Sequence, residues 1–289
     1  MSVLCRPLSV VFLVITLAPI GFGQDCAVSV ILRVVSKQAQ PVVNVTAGQL
    51  KAALNGSPAT VTSLSPAGNP AIVVVLDASA SMRPNWNQSV AAAEELVGKT
   101  AGDIEVFVSD ERIQDHAVGR TASERLLNQW SAETPRHATA IYDALIQIAG
   151  RVKTRNAAIV VISDGNDDAS THSSDATELL FLRSAWPPVF SLIVDYGHPS
   201  KRWEDFKKLS ISTGGSVAHP SSASAVSAAM EDLAAIALNP LALTLRPSRP
   251  ISPGAKLKLE ILGTRDDRAL YPADVVGCDS RSNMTIDQR

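Results

Sequence analysis

The chain has 289 residues, of which 46% are hydrophobic and only 4% are aromatic, and its formal net charge is −2. This nearly neutral chain has no basic stripe to attract nucleic acid or an anionic membrane surface, so neither is expected as a partner. The length predicts one medium-sized domain with an accessory piece. Because aromatics are scarce, Val, Ile, Leu and Ala must fill the core, as in a parallel sheet with helices on both faces.

Residues 1–23 have the pattern of a signal peptide. Arg6 precedes the apolar stretch 8–18, and Gly21-Phe22-Gly23 supplies small residues for cleavage. The stretch is shorter than the roughly 20 apolar residues that a membrane span needs, and Pro19 follows it. We therefore expect an exported chain, secreted or periplasmic, with no transmembrane anchor after cleavage.

Short strands are predicted on both sides of the central part of the chain. Before it, residues 28–35 and 59–64 read as strands, with a turn at Asn55-Gly56. After it, residues 241–245 and 256–262 give two more, separated by prolines. The polar end of the chain is expected to be frayed.

Strand and helix patterns alternate through the centre of the chain. The predicted strands are 71–76, 104–108, 157–163, 189–194 and 216–218, and the predicted helices are 86–99, 123–130, 140–152, 175–185, 201–211 and 223–237. Residues 113–118 could add an antiparallel edge strand. This alternation predicts a doubly wound, mostly parallel α/β sheet.

Oxygen-bearing side chains stand at the ends of three of these elements. Asp77-Ala78-Ser79-Ala80-Ser81 follows the first central strand, Thr139 precedes a helix, and Asp164 follows strand 157–163. In doubly wound sheets, ligands bind beyond the carboxyl ends of the strands. Carboxylate and hydroxyl oxygens suit Mg²⁺, Mn²⁺ or Ca²⁺ better than zinc or copper. The alternative interpretation is a set of solvated loops, since Asp and Ser are common in turns.

The three segments together resemble the von Willebrand factor A (VWA) domain, and the surrounding segments resemble VWA-related proteins of secreted bacterial chains. The resemblance covers roughly residues 70–238. It implies a metal-ion-dependent adhesion site with one divalent ion, most simply Mg²⁺, held by Asp77, Ser79, Ser81, Thr139 and Asp164, the last often through water. It also implies that a partner protein completes the coordination with an Asp or Glu carboxylate.

The same resemblance suggests how the flanks are organised. In the related bacterial proteins a small β module precedes and follows the A domain. We therefore expect residues 24–66 and 240–289 to form one small accessory β unit around a VWA domain at 67–239.

Two cysteines remain after the predicted cleavage, Cys26 and Cys278. In an oxidising compartment their pairing would close the accessory unit. Two unpaired thiols are the alternative, because sequence does not reveal the distance between the two residues.

The function predicted from the sequence is a secreted, metal-dependent binding module rather than an enzyme. The chain has no Gly-x-Ser-x-Gly elbow, phosphate-binding loop or His-Glu-x-x-His zinc helix. One alternative is a metal-assisted hydrolase, with Asp167, Asp168 or His137 as the base. Another is a structural component of an envelope assembly. Asp167 and Asp168 could instead form a second ion site, but a solvated acidic loop is the preferred interpretation of that segment.

Overall fold

The computed structural model describes residues 26–152, 156–196, 203–264 and 266–275. Within these residues the strands are β1 (Val28–Val35), β2 (Leu50–Leu54), β3 (Ser57–Pro66), β4 (Ala71–Asp77), β5 (Ile104–Ser109), β6 (Ile113–Val118), β7 (Ala157–Ser163), β8 (Val189–Ile193), β9 (Val217–Ala218), β10 (Leu241–Pro247), β11 (Ala255–Ile261), β12 (Arg268–Leu270) and β13 (Asp274–Val275). The α-helices are α1 (Trp86–Lys99), α2 (Arg120–Ser131), α3 (Ile141–Ala149), α4 (Ser174–Ser184), α5 (Trp203–Ser212) and α6 (Val226–Ala237).

The strands of the middle of the chain form a six-stranded sheet, the central sheet, in the order β6-β5-β4-β7-β8-β9 among the described residues. Strands β5, β4, β7, β8 and β9 are parallel, whereas β6 pairs with β5 in the antiparallel direction. The predicted antiparallel edge strand is therefore confirmed, and the sheet is mixed rather than purely parallel. Helices cover both faces, with α1, α2 and α6 packed on one and α3, α4 and α5 on the other.

Apolar runs determine which strands lie at the centre of this sheet. Every residue of β7 is buried, as are all residues of β4 after Ala71. A strand covered on both faces needs a continuous apolar sequence, and both strands have one. Burying each Val, Ile or Leu side chain contributes about 1.5–3 kcal/mol, so these two strands form a stable base for the loops that follow them.

Both ends of the chain contribute to a second sheet, the flank sheet, whose described strands have the order β12-β1-β10-β3-β2-β11-β13. The sequence predicts a small accessory unit, and this expectation is wrong in size, because the flank sheet has more described strands than the central one. Strand β2 is not among the strands predicted from the sequence. Its alternate residues are buried, as in a strand with one covered face. Pairing with both β3 and β11 holds this segment in the sheet.

The two sheets meet at a buried arginine. Arg33 of β1 is 1% exposed, and its Nε and Nη2 donate to the carbonyl oxygen of Ala237 at 3.3 and 3.1 Å. Its guanidinium also lies 5.0 Å from the ring centre of Phe190 in β8. Burial lowers the pKa of Arg33 to about 9, which reflects the cost of holding a cation away from water.

No helix among the described residues has both the length and the apolar character needed to cross a membrane. The predicted signal peptide and Cys278 lie outside the described residues, so export and the Cys26–Cys278 disulfide stay predictions.

Candidate functional site

The first loop of the candidate site follows β4. Asp77 is the last residue of that strand and is completely buried. Its Oδ1 accepts a hydrogen bond from the backbone nitrogen of Ser79 at 2.9 Å, which closes a tight turn. The hydroxyls of Ser79 and Ser81 lie 3.1 Å apart, and a 3₁₀ turn over Ala80–Asn85 leads from there into α1. One carboxylate and two hydroxyls are thus gathered in one loop.

Thr139 lies on a second loop that is joined to the first by main-chain bonds. The nitrogen of Ala80 donates to the carbonyl of His137 at 2.8 Å, and residues Ser79 and His137 form an isolated parallel β-bridge. Thr139 is 2% exposed, and its nitrogen donates to Oδ1 of Asp168 at 2.8 Å. The predicted ligand Thr139 is therefore held beside the Ser79 loop.

Asp164 follows β7 and is 5% exposed. Its Oδ1 accepts from the nitrogen of Asn166 at 3.0 Å, and its Oδ2 accepts from Nδ2 of the same residue at 2.9 Å. Gly165 has a φ of +82°, and an added Cβ would lie 2.9 Å from the Cα of Trp203. Only glycine fits this turn without displacing α5, so the backbone at Asp164 is closely fixed.

The two carboxylates influence each other. The pKa of Asp77 is raised to about 7, first by burial and second by the negative charge of Asp164, while hydrogen bonds from Ser163 and Ser79 oppose the rise. The two acids thus lie near enough for the charge of Asp164 to raise the pKa of Asp77. A divalent ion would relieve this repulsion, and the surrounding hydroxyls are suitable neutral ligands for a hard cation.

The described residues contain no group of three or more His, Cys, Asp or Glu side chains that could hold a metal. Groups of His and Cys are typical of zinc and softer metals, whereas groups of Asp and Glu also occur at Mg²⁺ and Ca²⁺ sites. The five predicted ligands include only two acids, and the other three are hydroxyls. The composition of the site therefore fits Mg²⁺ and similar ions better than softer metals.

An open cleft of about 610 Å³ lies over the two loops. Its polar lining consists of Ser81, Arg136, His137, Thr139, Asn166 and Asp168. Asp77, Ser79 and Asp164 are buried and are not among the residues that line it. Ser81 is exposed at the cleft wall, whereas Thr139 is almost completely buried there.

Two polar residues of the site were not among the predicted ligands. Ser163 donates to Oδ2 of Asp77 at 2.6 Å, and its hydroxyl accepts from the nitrogen of Gly165 at 3.0 Å. Asn166 fixes Asp164 as described above. The sequence shows that both residues lie within two positions of Asp164. It does not show that their side chains point towards the two carboxylates.

The acidic loop after β7 differs from the predicted solvated loop, because its carboxylates accept hydrogen bonds from other parts of the chain. Oδ2 of Asp167 accepts from the nitrogen of Tyr142 at 3.0 Å and from the hydroxyl of Ser170 at 2.7 Å. Asp168 binds the nitrogen of Thr139. Both acids therefore brace the start of α3, and their carboxylates are already engaged as acceptors.

Asp143 in the first turn of α3 extends this bracing. Although partial burial opposes the shift, hydrogen bonds from the nitrogen and hydroxyl of Thr171 and from His172 lower the pKa of Asp143 to about 2. Segment 167–172 is therefore tied to α3 along its length.

Several solved structures resemble this fold at low sequence identity. An aerotolerance-related membrane protein from Bacteroides fragilis has 17% identity and a TM-score of 0.43, with 57% of this chain and 98% of that chain covered. Proximal thread matrix protein 1 from the mussel byssus has 17% identity and a TM-score of 0.47, with 64% and 50% covered, so this chain spans about half of its length. Manganese-loaded TRAP protein from Plasmodium vivax has 12% identity and a TM-score of 0.41, with 77% and 95% covered.

No curated protein sequence matches the chain. A family model does, the one described as "VWA domain containing CoxE-like protein", and the match runs over residues 50–185, just under half of the chain. That range includes all five predicted ligands and most of the central sheet. Residues 50–185 are therefore similar to the VWA domain of that family.

Proposed function

We propose that this protein is a metal-dependent binding module, in which one divalent cation at the candidate site engages an Asp or Glu carboxylate of a partner protein. The observation that carries the proposal is the convergence of the Ser79, Thr139 and Asp164 loops beneath an open cleft. The repulsion between the buried carboxylates of Asp77 and Asp164 supports the proposal, because a bound cation would offset it.

The proposed ligands are Asp77, Ser79, Ser81, Thr139 and Asp164, and the proposed ion is Mg²⁺, with Mn²⁺ or Ca²⁺ as substitutes. When bound, the ion supplies a positive charge that attracts an anionic ligand. With three neutral hydroxyls among five ligands, the site compensates the charge of the ion only through Asp77 and Asp164. An external carboxylate is therefore a favourable additional ligand.

The proposal makes the protein a binder rather than an enzyme. Asp167 and Asp168, two of the three candidates for the general base of the hydrolase alternative, accept hydrogen bonds from the chain itself. Phosphatase, phosphodiesterase and protease assays with added Mg²⁺ should accordingly stay at background. Turnover that disappears in Asp77→Asn would favour the hydrolase alternative.

Metal binding is tested most cleanly at Ser81, which is exposed and whose hydroxyl lies 3.1 Å from that of Ser79. Saturating Mg²⁺ should raise the melting temperature of the wild type by about 5 °C or more, since a ligand at 100 times its Kd contributes about 2.7 kcal/mol. Ser81→Ala should reduce Mg²⁺ affinity roughly tenfold or more, by comparison with substitutions around other metal sites, without lowering stability in chelator.

Ser224→Ala is the matched control for Ser81→Ala. Ser224 also faces a serine hydroxyl two residues away at 3.1 Å and is also exposed, but it lies before α6, away from the cleft. Its Mg²⁺ affinity should equal that of the wild type. Identical melting of the wild type in Mg²⁺ and in chelator would contradict the proposed ion site.

We also propose that residues 1–23 are removed on export, that the VWA domain occupies residues 67–239 between the two parts of the accessory unit, and that Cys26 pairs with Cys278. The predicted signal peptide supports an extracytoplasmic location. Mass spectrometry of non-reduced peptides from the exported protein tests the pairing, and free thiols at both positions would contradict it.

A further inference from the structure

Arg136 stands out among the residues that line the cleft over the candidate ion site. It is exposed, and within the described part of the chain no carboxylate or carbonyl accepts from its guanidinium. Asp168, the acidic residue on the cleft wall, accepts a hydrogen bond from the nitrogen of Thr139. Among the described residues, Arg136 is thus a cationic side chain of the cleft wall that forms no ion pair with a carboxylate.

The backbone on both sides of Arg136 is held in place. The carbonyl of Pro135 accepts from Nε of Arg83 at 2.6 Å, and the carbonyl of His137 accepts from the nitrogen of Ala80 at 2.8 Å. The second of these bonds joins His137, the residue after Arg136, to the loop that carries Ser79 and Ser81. The position of Arg136 relative to the predicted ligands is thus fixed, while its side chain remains available.

The spacing suits a ligand with two acidic groups. Arg136 and Thr139 are three residues apart, so their Cα atoms are separated by at most about 11 Å. In an extended segment, side chains two residues apart lie on the same face with a spacing of about 7 Å. A guanidinium also matches the geometry of a carboxylate and can bind it with two parallel hydrogen bonds.

We propose that the partner of this site is an acidic protein segment with two carboxylates at alternate positions, of which one reaches the ion and the other pairs with Arg136. This inference rests on the proposed function and adds partner selectivity to it. Arg136 acts as the residue that distinguishes a doubly acidic segment from one with a single acid.

The probes are two synthetic peptides that differ at one position, Gly-Gly-Glu-Gly-Glu-Gly-Gly and Gly-Gly-Glu-Gly-Gln-Gly-Gly, each acetylated at the N-terminus and amidated at the C-terminus so that only the side chains carry charge. They are titrated into the full chain with Mg²⁺ and with chelator at low salt. The wild type should bind the doubly acidic peptide about fivefold more tightly. Arg136→Gln should abolish this difference, so that the two peptides bind with equal Mg²⁺-dependent affinity. Arg125→Gln, the same charge change on an exposed residue of α2, should keep the difference.

A charge exchange provides the sharper test. Arg136→Glu should prefer a third peptide, Gly-Gly-Glu-Gly-Lys-Gly-Gly, over the doubly acidic one, which a merely structural role of Arg136 would not produce. Equal wild-type affinities for the first two peptides, or an equal loss of preference in Arg125→Gln, would overturn the inference while leaving the proposed function in place. If no peptide binds, or if binding is unaffected by chelator, the proposed function fails and this inference with it.

Discussion

The central sheet and the flank sheet differ in how their strands are buried. All residues of β7 are buried, whereas in β11 the buried and exposed residues largely alternate. A strand of the first kind is covered on both faces, and one of the second kind on a single face. The candidate site occurs only where the strands are covered on both faces, because the loops at their ends then extend from a fixed base. The flank sheet supplies none of the predicted ligands.

The largest expected difference between the two sheets concerns two glycines. A Cβ at Gly215 would lie 1.8 Å from the carbonyl oxygen of Val189 at the start of β8, so Gly215→Ala must displace backbone in the central sheet. We expect a loss of more than about 4 kcal/mol in the free energy of unfolding, or failure to fold.

Gly254, next to β11 of the flank sheet, is the matched position. It has a φ of +80° and no atom within 4 Å of an added Cβ, so Gly254→Ala should cost only about 1–2 kcal/mol of backbone strain. Urea denaturation followed by circular dichroism measures both losses. Equal losses would show that the central sheet is no less tolerant than the flank sheet.

An intermediate effect is expected where the two sheets meet. Arg33→Ala should cost about 3 kcal/mol, because it leaves a cavity beside Phe190 and removes the donors to the Ala237 carbonyl. Arg33→Met should cost clearly less, since it fills the volume without burying a charge. Urea denaturation of both variants measures the difference. If Arg33→Met were as destabilising as Arg33→Ala, the hydrogen bonds rather than packing would hold the junction.

The smallest effect concerns two residues in the left-handed region. Ala185 caps the C-terminus of α4, a helix that packs on the central sheet, and has a φ of 49°. Asn55 lies in the turn between β2 and β3 of the flank sheet and has a φ of 48°. Ala185→Gly should stabilise the protein by up to about 1 kcal/mol, because glycine adopts this conformation without strain.

Asn55→Gly should be neutral or slightly destabilising. Asparagine tolerates a positive φ, and Oδ1 of Asn55 accepts from the nitrogen of Lys256 at 2.9 Å, a bond that glycine would lose. The melting temperatures of the two variants decide the matter. A gain at Asn55 and none at Ala185 would reverse the expected order.

Much of the central sheet and its helices could be predicted from the sequence, because each element has a continuous hydrophobic pattern of its own. Helix α1 and strand β7 begin and end at the predicted residues. By contrast, β12 and β13 consist of three and two residues, and only pairing with β1 and β11 makes them strands. Segments of this length carry no periodicity from which a strand could be predicted.

The candidate site shows the same division. Asp77 and Asp164 could be placed at one edge of the sheet because parallel strands end there together. The hydrogen bond between Ser163 and Asp77 and the bracing by Asp167 and Asp168 depend on side-chain direction across loops that are distant in sequence. No single-chain pattern specifies those directions.

The strand order of the flank sheet also bears on how the protein is made. Strand β10 lies between β1 and β3, and the nitrogen of Ala67 just after β3 donates to the carbonyl of Pro240 just before β10 at 3.0 Å. Roughly 170 residues separate β3 from β10, so at 5–20 residues per second a ribosome needs roughly 10 to 35 s between them. Throughout that interval β1 and β3 lack the strand that they share, and their open edges are exposed to wrong pairing. The flank sheet therefore cannot be completed until β10 has been made. The interval before that is when the edges of β1 and β3 most need protection from wrong pairing.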